Sequence, residues 1–246
     1  MGKNHIKRIS APKTWPLNRK ENTFIKRPHS GNQSLNYTIS VSFALRDMLG
    51  VARTSSEIKF ILRTHDITVN GTRVHDEKRP LGFMDVLSIP LVKQQYRLLL
   101  NKYNKLFLHA IAESEVDTLP SKVRHKTIQQ KNKILAHLQS GHNVEVKNSV
   151  KPGDLVVLKK KDGKFNESSH VSYAEGSLAY IIGGRNVGSV GTIKQIVTRL
   201  KMSDQVRLQV GDNLIECIEP QLFIIGKDKP VISIPIHDHK VEETKK

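Results

Sequence analysis

The fold is decided by residues 39–90, ISVSFALRDMLGVARTSSEIKFILRTHDITVNGTRVHDEKRPLGFMDVLSIP. Apolar residues recur at helical spacing at Val41, Leu45 and Met48, and Gly50 follows them. Apolar side chains three and four residues apart share one face of a helix. The spacing therefore predicts a first amphipathic helix that ends near Gly50.

A second helix is predicted immediately afterwards. Thr54-Ser55-Ser56-Glu57 is a capping box, in which the threonine and glutamate side chains bond to free N–H groups at the start of a helix. Ile58, Ile61 and Leu62 follow at helical spacing. We expect this helix to end near Thr64.

The pattern then changes to that of β-structure. Ile67-Thr68-Val69 and Thr72-Arg73-Val74 flank Asn70-Gly71, and Asn-Gly favours a type I′ hairpin because both residues accept positive φ. Residues Asp85–Ile89 predict a further strand before Pro90. The predicted order is helix, helix, hairpin and strand.

The rest of the chain towards the C terminus predicts mainly short strands. Residues 93–175 are expected to form a central β-rich domain, and residues 176–226 a β-unit punctuated by glycines. Within the latter, Gln205–Val210 alternates with period two, so one of its faces should be buried. Residues 227–246 are expected to be a C-terminal segment with a loose, charged tail.

Towards the N terminus, residues 1–38 are expected to form a basic, extended arm. Residues 1–40 carry eight Lys or Arg and one acidic residue, without a clear apolar period. Segments of this composition fold on a polyanion rather than on themselves. Trp15, the only tryptophan, either packs on the protein's own body or stacks on a base. Packing is favoured, but Trp15 stays among the candidate RNA-binding residues.

The net charge indicates a polyanionic partner. The 246 residues hold 40 Lys or Arg and 23 Asp or Glu, a formal charge of +17. Such a charge destabilises a folded chain by self-repulsion unless a polyanion neutralises it. No apolar run is long enough to span a bilayer, and no apolar signal-peptide region follows the basic N terminus. We therefore expect an intracellular protein whose partner is nucleic acid rather than a membrane.

Catalytic and metal-binding interpretations find little support. Cys217 is the only cysteine, which excludes disulfides within the chain and cysteine-based zinc sites, so it is expected to be a buried, inert thiol. A metal site at His237-Asp238-His239 is set aside because no second ligand cluster lies nearby in the sequence. The chain has no G-x-S-x-G nucleophile motif. We expect no catalysis, no cofactor and no small-molecule substrate.

The second helix carries the most informative basic residues. Lys59 and Arg63 are four residues apart and share a face that is distinct from the apolar positions. The alternative is a solvated helix with salt bridges to Glu57 or Asp66. The charge of the whole chain favours an RNA-binding face.

The glycines of residues 183–191 have the spacing G-G-x-x-x-G-x-x-G, which matches neither a dinucleotide-binding fingerprint nor a P-loop. Tight turns in a small barrel explain them better, since glycine accepts positive φ. In such a turn, Gly183 and Gly184 expose N–H groups, and Arg185 and Asn186 meet phosphates or base edges.

These segments supply the predicted RNA contacts. The arm and the cationic face of the helix-helix-hairpin module are expected to dominate affinity. The candidate RNA-binding residues are Lys3, His5, Lys7, Arg8, Lys13, Trp15, Arg19, Lys20, Lys26, Arg27, Arg46, Arg53, Lys59, Arg63, Arg73, Lys78, Arg79, Lys122, Arg124, Lys126, Gly184, Arg185 and Asn186.

Several motifs carry a resemblance to a known family. Residues 45–49 (LRDML), 67–71 (ITVNG) and 82–90 (GFMDVLSIP) resemble an α-L RNA-binding module. The segment GGRNVGSVG at 183–191 is similar to a KOW motif. With HIKR and APKTWP near the N terminus and FIIG at 223–226, the chain resembles the e-type ribosomal protein four family of archaea and eukaryotes, and the archaeal form most.

The resemblance covers nearly the whole chain and implies its architecture. It implies an α+β fold with an α-L module at 39–92, a central β-rich domain at 93–175 and a small SH3-like KOW β-barrel at 176–226, preceded by the basic extended arm. It also implies a structural role in the small ribosomal subunit, in the cytoplasm, with 16S rRNA and neighbouring ribosomal proteins as partners. The chain departs from the family at residues 138–143, where LQSGHN replaces the expected LHDGRN.

Two alternatives remain open from the sequence. One is an RNA-modifying enzyme, such as a pseudouridine synthase, that uses an α-L module to deliver its substrate. That class requires an Asp-bearing motif of Gly-Arg-Leu-Asp type, which this chain does not contain. The other is a KOW-type transcription factor, which would co-purify with RNA polymerase.

Overall fold

The computed structural model describes residues 5–129, 133–146, 149–161, 163–200 and 202–235. Strands dominate and helices are few, so the predicted α+β class is correct in kind but understates the share of β-structure. The helices are α1 (Val41–Phe43), which continues into a π-helical turn (Ala44–Met48), and α2 (Ser55–Thr64). Short 3-10 helices cover Arg8–Ser10, Leu35–Tyr37, Pro90–Val92, Glu113–Glu115 and Glu219–Gln221. The strands, numbered in chain order, are β1 (Ile6–Lys7), β2 (Phe24–Ile25), β3 (Thr38–Ser40), β4 (Thr68–Val69), β5 (Thr72–Arg73), β6 (Pro80–Gly82), β7 (Val86–Ile89), β8 (Gln94–Leu100), β9 (Leu106–Ile111), β10 (Thr118–Ile128), β11 (Ile134–Leu138), β12 (Asn143–Glu145), β13 (Leu155–Lys161), β14 (Lys164–Val171), β15 (Leu178–Ile181), β16 (Val190–Val197), β17 (Gln205–Val210), β18 (Asn213–Ile218) and β19 (Leu222–Gly226).

The first helix forms where the sequence predicts it, but its second half is wound more loosely. The Ser40 hydroxyl oxygen accepts the Phe43 N–H at 3.2 Å and caps the start. The Leu49 N–H donates to the Ala44 carbonyl at 3.0 Å, the i→i−5 bond of a π-helical turn. Gly50 follows with φ of +65°, so this residue ends the helix as predicted.

The capping box of α2 is confirmed. The Glu57 N–H donates to Thr54 Oγ1 at 3.2 Å, and the Arg53 N–H donates to Glu57 Oε2 at 2.8 Å. The bond from the Arg53 N–H is the main cause that lowers the pKa of the Glu57 carboxyl. Because two N–H groups at the helix start are satisfied in this way, the helix begins at the predicted residues.

The Asn-Gly hairpin is also confirmed, with φ of +51° at Asn70 and +67° at Gly71. The Asn70 amide ties the turn to β7, since Nδ2 donates to Asp85 Oδ1 and Oδ1 accepts the Val86 N–H, both at 2.8 Å. The hairpin belongs to a five-stranded antiparallel sheet of order β5-β4-β7-β8-β9. β8 and β9 lie after residue 93 but complete this sheet. The sheet therefore crosses the expected boundary between the helix-helix-hairpin module, which is predicted to end at residue 92, and the central β-rich domain.

A second five-stranded sheet has the order β12-β11-β10-β13-β14. The long strand β10 serves both halves: residues 118–122 pair with β13, and residues 123–128 pair with β11. The register shifts between Val123 and His125, where the strand changes partner. A separate hydrophobic cluster that includes Leu119 and Ala136 forms the core beneath this sheet.

The third sheet has the order β18-β17-β16-β15-β19. Gly184 and Gly188 have φ of +91° and +82°, so the turn between β15 and β16 needs glycine, as the sequence predicts. Gly191 is required for a different reason. A Cβ atom there would lie 2.7 Å from the Gln209 carbonyl oxygen, so the close approach of two strands selects glycine.

The described N-terminal residues do not form the predicted extended arm, because they pack on the body of the protein. β1 pairs with β2, and the Thr14 carbonyl accepts the Leu106 N–H at 2.8 Å. Trp15 is fully buried: its ring stacks on Phe43 with centroids 5.7 Å apart, and Nε1–H donates to the Leu35 carbonyl at 3.3 Å. Packing on the protein's own body is therefore the correct alternative for Trp15, and its inclusion among the RNA-binding residues is wrong.

One large core joins the N-terminal residues, the helices, the first sheet and the third sheet. The Phe83 ring stacks on Tyr180 with centroids 5.9 Å apart and meets the Phe223 ring edge-on at 5.6 Å. The Tyr180 hydroxyl donates to the Leu100 carbonyl. These buried contacts fix the third sheet against the first.

Candidate nucleic-acid interface

α2 separates its two faces as the sequence predicts. Ile58 and Leu62 are buried in the core, whereas Lys59 and Arg63 are exposed. The helix therefore presents two cations, one turn apart, on the side away from the core.

α2 and the segment after β5 border an open depression, called the α2 depression below. It is lined by His29, Lys59, Arg63, His75, Asp76, Glu77 and Lys78. The structure thus brings together three predicted RNA-binding residues, Lys59, Arg63 and Lys78, from separate positions in the sequence. His29 and His75 also lie there and were not predicted.

Both carboxylates of the α2 depression are already engaged. Asp76 Oδ1 accepts the Lys78 N–H at 2.9 Å, and Asp76 Oδ2 lies 2.8 Å from His29 Nε2. The Lys78 N–H is the main cause that lowers the pKa of the Asp76 carboxyl, with the bond to His29 adding to it. Glu77 is buried and pairs with Lys26 Nζ at 2.8 Å. The lysine and arginine side chains of the depression therefore retain a positive field.

Lys26, a predicted RNA contact, is engaged in this internal ion pair. Lys59 Nζ is 3.9 Å from the same Glu77 oxygen, at the limit of an ion pair, and its side chain is mostly exposed. Of the two lysines near Glu77, Lys59 is the one available to an external phosphate.

The salt-bridge alternative for α2 does not match the described contacts. Asp66 pairs with Arg73 at 2.9 Å, and Glu57 accepts a backbone N–H. Among the described residues, neither carboxylate forms an ion pair with Lys59 or Arg63. The cationic face of α2 is therefore not neutralised by Glu57 or Asp66, the two carboxylates that the sequence suggested.

The other predicted cations of this region lie in different environments. Arg46 pairs with Asp47, with Nε–H donating to Oδ2 at 2.9 Å. Arg53 is exposed at the start of α2, and Arg73 is exposed but paired with Asp66. Arg79 is half-buried and lines a second depression, together with Asp85.

Arg8 is wrong as a predicted RNA contact, because the chain folds around it. Its side chain is only 3% exposed, and its guanidinium donates to the Asn18 carbonyl at 2.8 Å, to Glu21 at 3.0 Å and to Asp47 at 3.2 Å. A guanidinium presents several donors in a fixed plane, so one arginine can hold three partners together.

Arg19, another predicted RNA contact, is also engaged within the protein. The half-buried guanidinium donates to the carbonyls of Ile9 and Ala11 at 2.9 Å and of Pro12 at 3.0 Å. The Ile9 carbonyl lies within the 3-10 helix Arg8–Ser10, and the carbonyls of Ala11 and Pro12 lie just after it.

The rest of the N-terminal candidates are placed at the surface or outside the described residues. His5, Lys7, Lys13 and Lys20 are exposed. Arg27 is half-buried, and Lys3 lies outside the described residues.

On β10, neighbouring predicted cations differ sharply. Lys122 Nζ lies 2.6 Å from Glu219 Oε1 and donates to the carbonyls of Glu219 and Leu222 at 2.9 and 3.2 Å. Lys122 therefore links the second and third sheets, and its ammonium is already engaged within the protein. Arg124 is exposed, and Lys126 is half-buried.

The glycine turn of the third sheet presents its candidates as expected for a surface turn. Gly184 and Arg185 are exposed and Asn186 is half-buried, in the segment between β15 and β16. This turn lies on a different element from the α2 depression.

Sequence reasoning missed a pair of histidines. The rings of His125 and His137 stack with centroids 4.3 Å apart and planes 19° apart. Both residues lie on strands that the structure pairs directly, and the basic composition of residues 122–133 was the only signal near them. The stack depends on a register that includes the shift after Val123.

Several other features that the sequence analysis considered can be located among the described residues. Cys217 is buried, as predicted, and burial raises the pKa of its thiol. Among the described residues, no cluster of three or more His, Cys, Asp or Glu is placed to hold a metal ion. His237-Asp238-His239 lies outside the described residues. No described helix has both the length and the apolar character required to cross a membrane.

Comparison with known proteins agrees with this architecture. A family model described as ribosomal family S4e matches residues 92–165, and one described as the RS4NT (NUC023) domain matches residues 1–32. Small ribosomal subunit protein eS4 of Methanosphaera stadtmanae is 33% identical over 233 residues, covering 94% of this chain and 96% of the relative. The protein of the same name from Methanococcus maripaludis is 34% identical over 242 residues, covering 94% of this chain and 98% of the relative.

A solved structure shows the same fold. The crystal structure of the 30S ribosomal protein S4e from Thermoplasma acidophilum superposes with a TM-score of 0.67 at 27% identity, covering 78% of this chain and 96% of that one. Relatives that match nearly end to end, together with this fold, establish that the chain belongs to the S4e family of ribosomal proteins.

Proposed function

We propose that this chain is a structural, non-enzymatic constituent of the small ribosomal subunit, that it binds 16S rRNA and that it works in the cytoplasm beside other ribosomal proteins. The names of its relatives support the small-subunit assignment. Residues 39–92 act as an α-L RNA-binding module, which the two helices followed by the Asn-Gly hairpin support. Residues 176–226 act as a KOW-type barrel, which the glycine turn and the strand order of the third sheet support.

The observation that carries this proposal is the α2 depression. Its lysine and arginine side chains come from α2 and from the segment after β5, while its carboxylates are held by Lys26, His29 and a backbone N–H. A surface of this kind binds phosphate oxygens without first breaking strong internal ion pairs. Binding then releases the counterions that surround the RNA, which favours association entropically.

In this proposal, the protein neutralises RNA phosphates and holds separate RNA segments together. Cations at several sites contact phosphates of separate RNA segments and hold those segments in a fixed relation. The core that joins the first and third sheets makes the protein a rigid spacer between the contacts. If about eight phosphates are neutralised, the slope of log K against log salt is roughly −6 to −7.

The test compares charge removal inside and outside the α2 depression. Arg63→Ala should reduce the steepness of the salt slope for a 16S rRNA transcript by about 0.9, because one phosphate contact is lost. Arg207→Ala is the matched control, since Arg207 is exposed but paired with Glu216 at 3.0 Å on the third sheet. The control should leave the slope unchanged. Equal effects of the two variants would mean that only the overall charge matters and that the depression is not a binding site.

Sedimentation of a cell lysate on a sucrose gradient tests the assembly itself. The chain should sediment with small ribosomal subunits at low salt and leave them as the salt concentration rises. Its absence from small subunits at low salt would refute the proposed function.

A further inference from the structure

We propose that the outer face of β10, β11 and β12 binds an unpaired nucleobase, which stacks on the His125–His137 pair. This inference rests on the proposed RNA binding and specifies the kind of RNA that one site takes. It assigns a function to residues that lie away from the α2 depression and that do not belong to its lining.

The two histidines are placed by strand pairing. His125 lies directly opposite His137, and His137 lies directly opposite Asn143 on β12. Directly opposite residues of antiparallel strands project from the same face. The three side chains therefore form a row across the sheet, and the neighbouring row holds Thr127, which is opposite Leu135.

Hydrogen bonds hold the His137 ring of the stack in place. His137 Nδ1 lies 2.9 Å from Asn143 Oδ1, and His137 Nε2 lies 2.9 Å from Thr127 Oγ1. Asn143 Oδ1 can only accept, so Nδ1 carries the proton, and in the neutral ring Nε2 accepts the Thr127 hydroxyl proton. Both ring nitrogens of His137 are therefore engaged, and the ring cannot turn without breaking a bond.

The His125 ring of the stack is available to a ligand. His125 is exposed, whereas His137 is half-buried. A planar base placed on the exposed ring would extend a stack that the protein has already ordered, so little conformational entropy is lost when it binds. RNA-binding proteins that use a sheet surface recognise unpaired bases through aromatic side chains placed in this way.

The charge near the stack complements a nucleic acid strand. Residues 122–146 contain five Lys or Arg, of which Lys122 is already paired with Glu219, and a single acidic residue, Glu145. Glu145 is paired with Lys133 at 2.7 Å, so its charge is locally compensated. Arg124 is exposed one residue before His125. A strand whose base lies on His125 would have its phosphates near Arg124.

The stack discriminates single-stranded from duplex RNA. In a duplex, both faces of each base are covered by neighbouring pairs, and a side chain reaches only backbone and groove atoms. Stacking on an exposed ring requires a base that is free of its helix. A loop, a bulge or a strand end of the rRNA provides such a base.

The test measures binding of the full chain to two probes at one salt concentration. One is a short oligouridylate that carries a single 2-aminopurine, whose fluorescence is quenched on stacking, and the other is duplex RNA of the same length. Stacking contributes about 1–3 kcal/mol per base, so His125→Ala should weaken binding of the single strand by roughly 5- to 150-fold and abolish the quenching. Binding of the duplex should stay within about twofold, since phosphate contacts supply it.

Two further variants separate stacking from polarity. His125→Phe keeps an aromatic face and should retain the quenching, whereas His125→Gln keeps polar atoms without a ring and should lose it. Loss of quenching in both variants would overturn stacking, because only the imidazole itself would then serve. Unchanged urea midpoints in all three variants exclude unfolding as the cause.

The outcomes also separate this inference from the proposed function. If the wild type binds 16S rRNA and the His125 variants bind the single strand as the wild type does, the inference is refuted and the proposed function stands. If the wild type binds neither rRNA nor either probe, the proposed function fails, and the inference fails with it.

Discussion

Two cations of β10, Lys122 and Arg124, have the same charge and lie two residues apart, yet the structure gives them different tasks. The Lys122 side chain is 12% exposed and its ammonium bonds to the Glu219 carboxylate and to the carbonyls of Glu219 and Leu222. Arg124 is exposed. Substituting each by alanine therefore separates a contact that holds the protein together from one that is available to RNA.

The size of the expected loss in stability follows from the groups that Lys122→Ala leaves without their partner. Lys122→Ala removes three bonds of an ammonium, each worth about 1.5–3 kcal/mol at most and not additive. The Glu219 side chain is 30% exposed and regains water, so the loss is smaller than for a fully buried pair. We expect the free energy of unfolding to fall by roughly 2–3 kcal/mol. In a chain of this length, 1 kcal/mol corresponds to about 2–4 °C, so the Tm should fall by roughly 4–12 °C.

Arg124→Ala should change the free energy of unfolding by less than about 0.5 kcal/mol, as for surface substitutions in general. It should instead reduce the steepness of the salt slope for 16S rRNA by about 0.9. Urea denaturation and a salt titration on the same preparations measure both quantities. The reasoning is refuted if Lys122→Ala leaves the urea midpoint unchanged and alters the salt slope as Arg124→Ala does.

Three further substitutions test separate contacts. Arg8→Ala should lower the free energy of unfolding by roughly 2–4 kcal/mol in urea denaturation, and Arg8→Lys should not restore it, because an ammonium cannot match a planar guanidinium with three partners. Gly188→Ala should lower the Tm far more than Gly211→Ala, since both glycines have positive φ but only at 188 would the new Cβ meet backbone atoms, at 2.6 Å from the Asn101 carbonyl carbon. Burial raises the pKa of Asp85 from 3.8 to about 6, so the stability that this group contributes is complete below its unfolded pKa and is lost as the pH rises through 6. Asp85→Asn has no carboxyl to ionise at this position, so its stability does not fall in this way. Between about pH 4 and 7, urea denaturation should show its free energy of unfolding rising by roughly 1–3 kcal/mol relative to that of the wild type.

Local signals made the helices and the hairpin predictable. The Thr54 cap, the Glu57 carboxylate and the Asn-Gly turn satisfy backbone groups within four residues of themselves. Nothing distant in the sequence has to be known to recognise such patterns. The π-helical turn that ends at Met48 was not predictable in this way, because its apolar spacing fits an ordinary α-helix equally well.

The assignment of individual cations could not be made from composition. Arg8 bonds to Asp47, 39 residues away, and Lys122 bonds to the Glu219 carbonyl, 97 residues away. In the sequence, both residues stand in basic stretches beside cations that the structure leaves exposed. A basic stretch predicts a cationic surface on average, but only the fold decides which members are turned inwards. The same limitation hid the His125–His137 stack, which depends on strand register.

The division between internally paired and exposed cations determines how many phosphates the protein can neutralise, and therefore the expected salt slope. Pairing does not remove a charge from the long-range field, so all cations help to steer RNA towards the protein. Counterion release, in contrast, counts only cations that reach a phosphate. Among the candidate residues that the structure describes, those that are exposed and without an ion pair shorter than 3.5 Å are Lys7, Lys13, Lys20, Arg53, Lys59, Arg63, Arg124 and Arg185. At about 0.7 to 0.9 per phosphate, a set of this size gives a slope of roughly −6 to −7, so the exposed cations are sufficient. A much steeper slope would require further cations to reach phosphates, such as the half-buried Lys78 or the internally paired Arg8, Arg19, Lys26 and Lys122. Release of the internally paired cations would contradict a rigid binding surface.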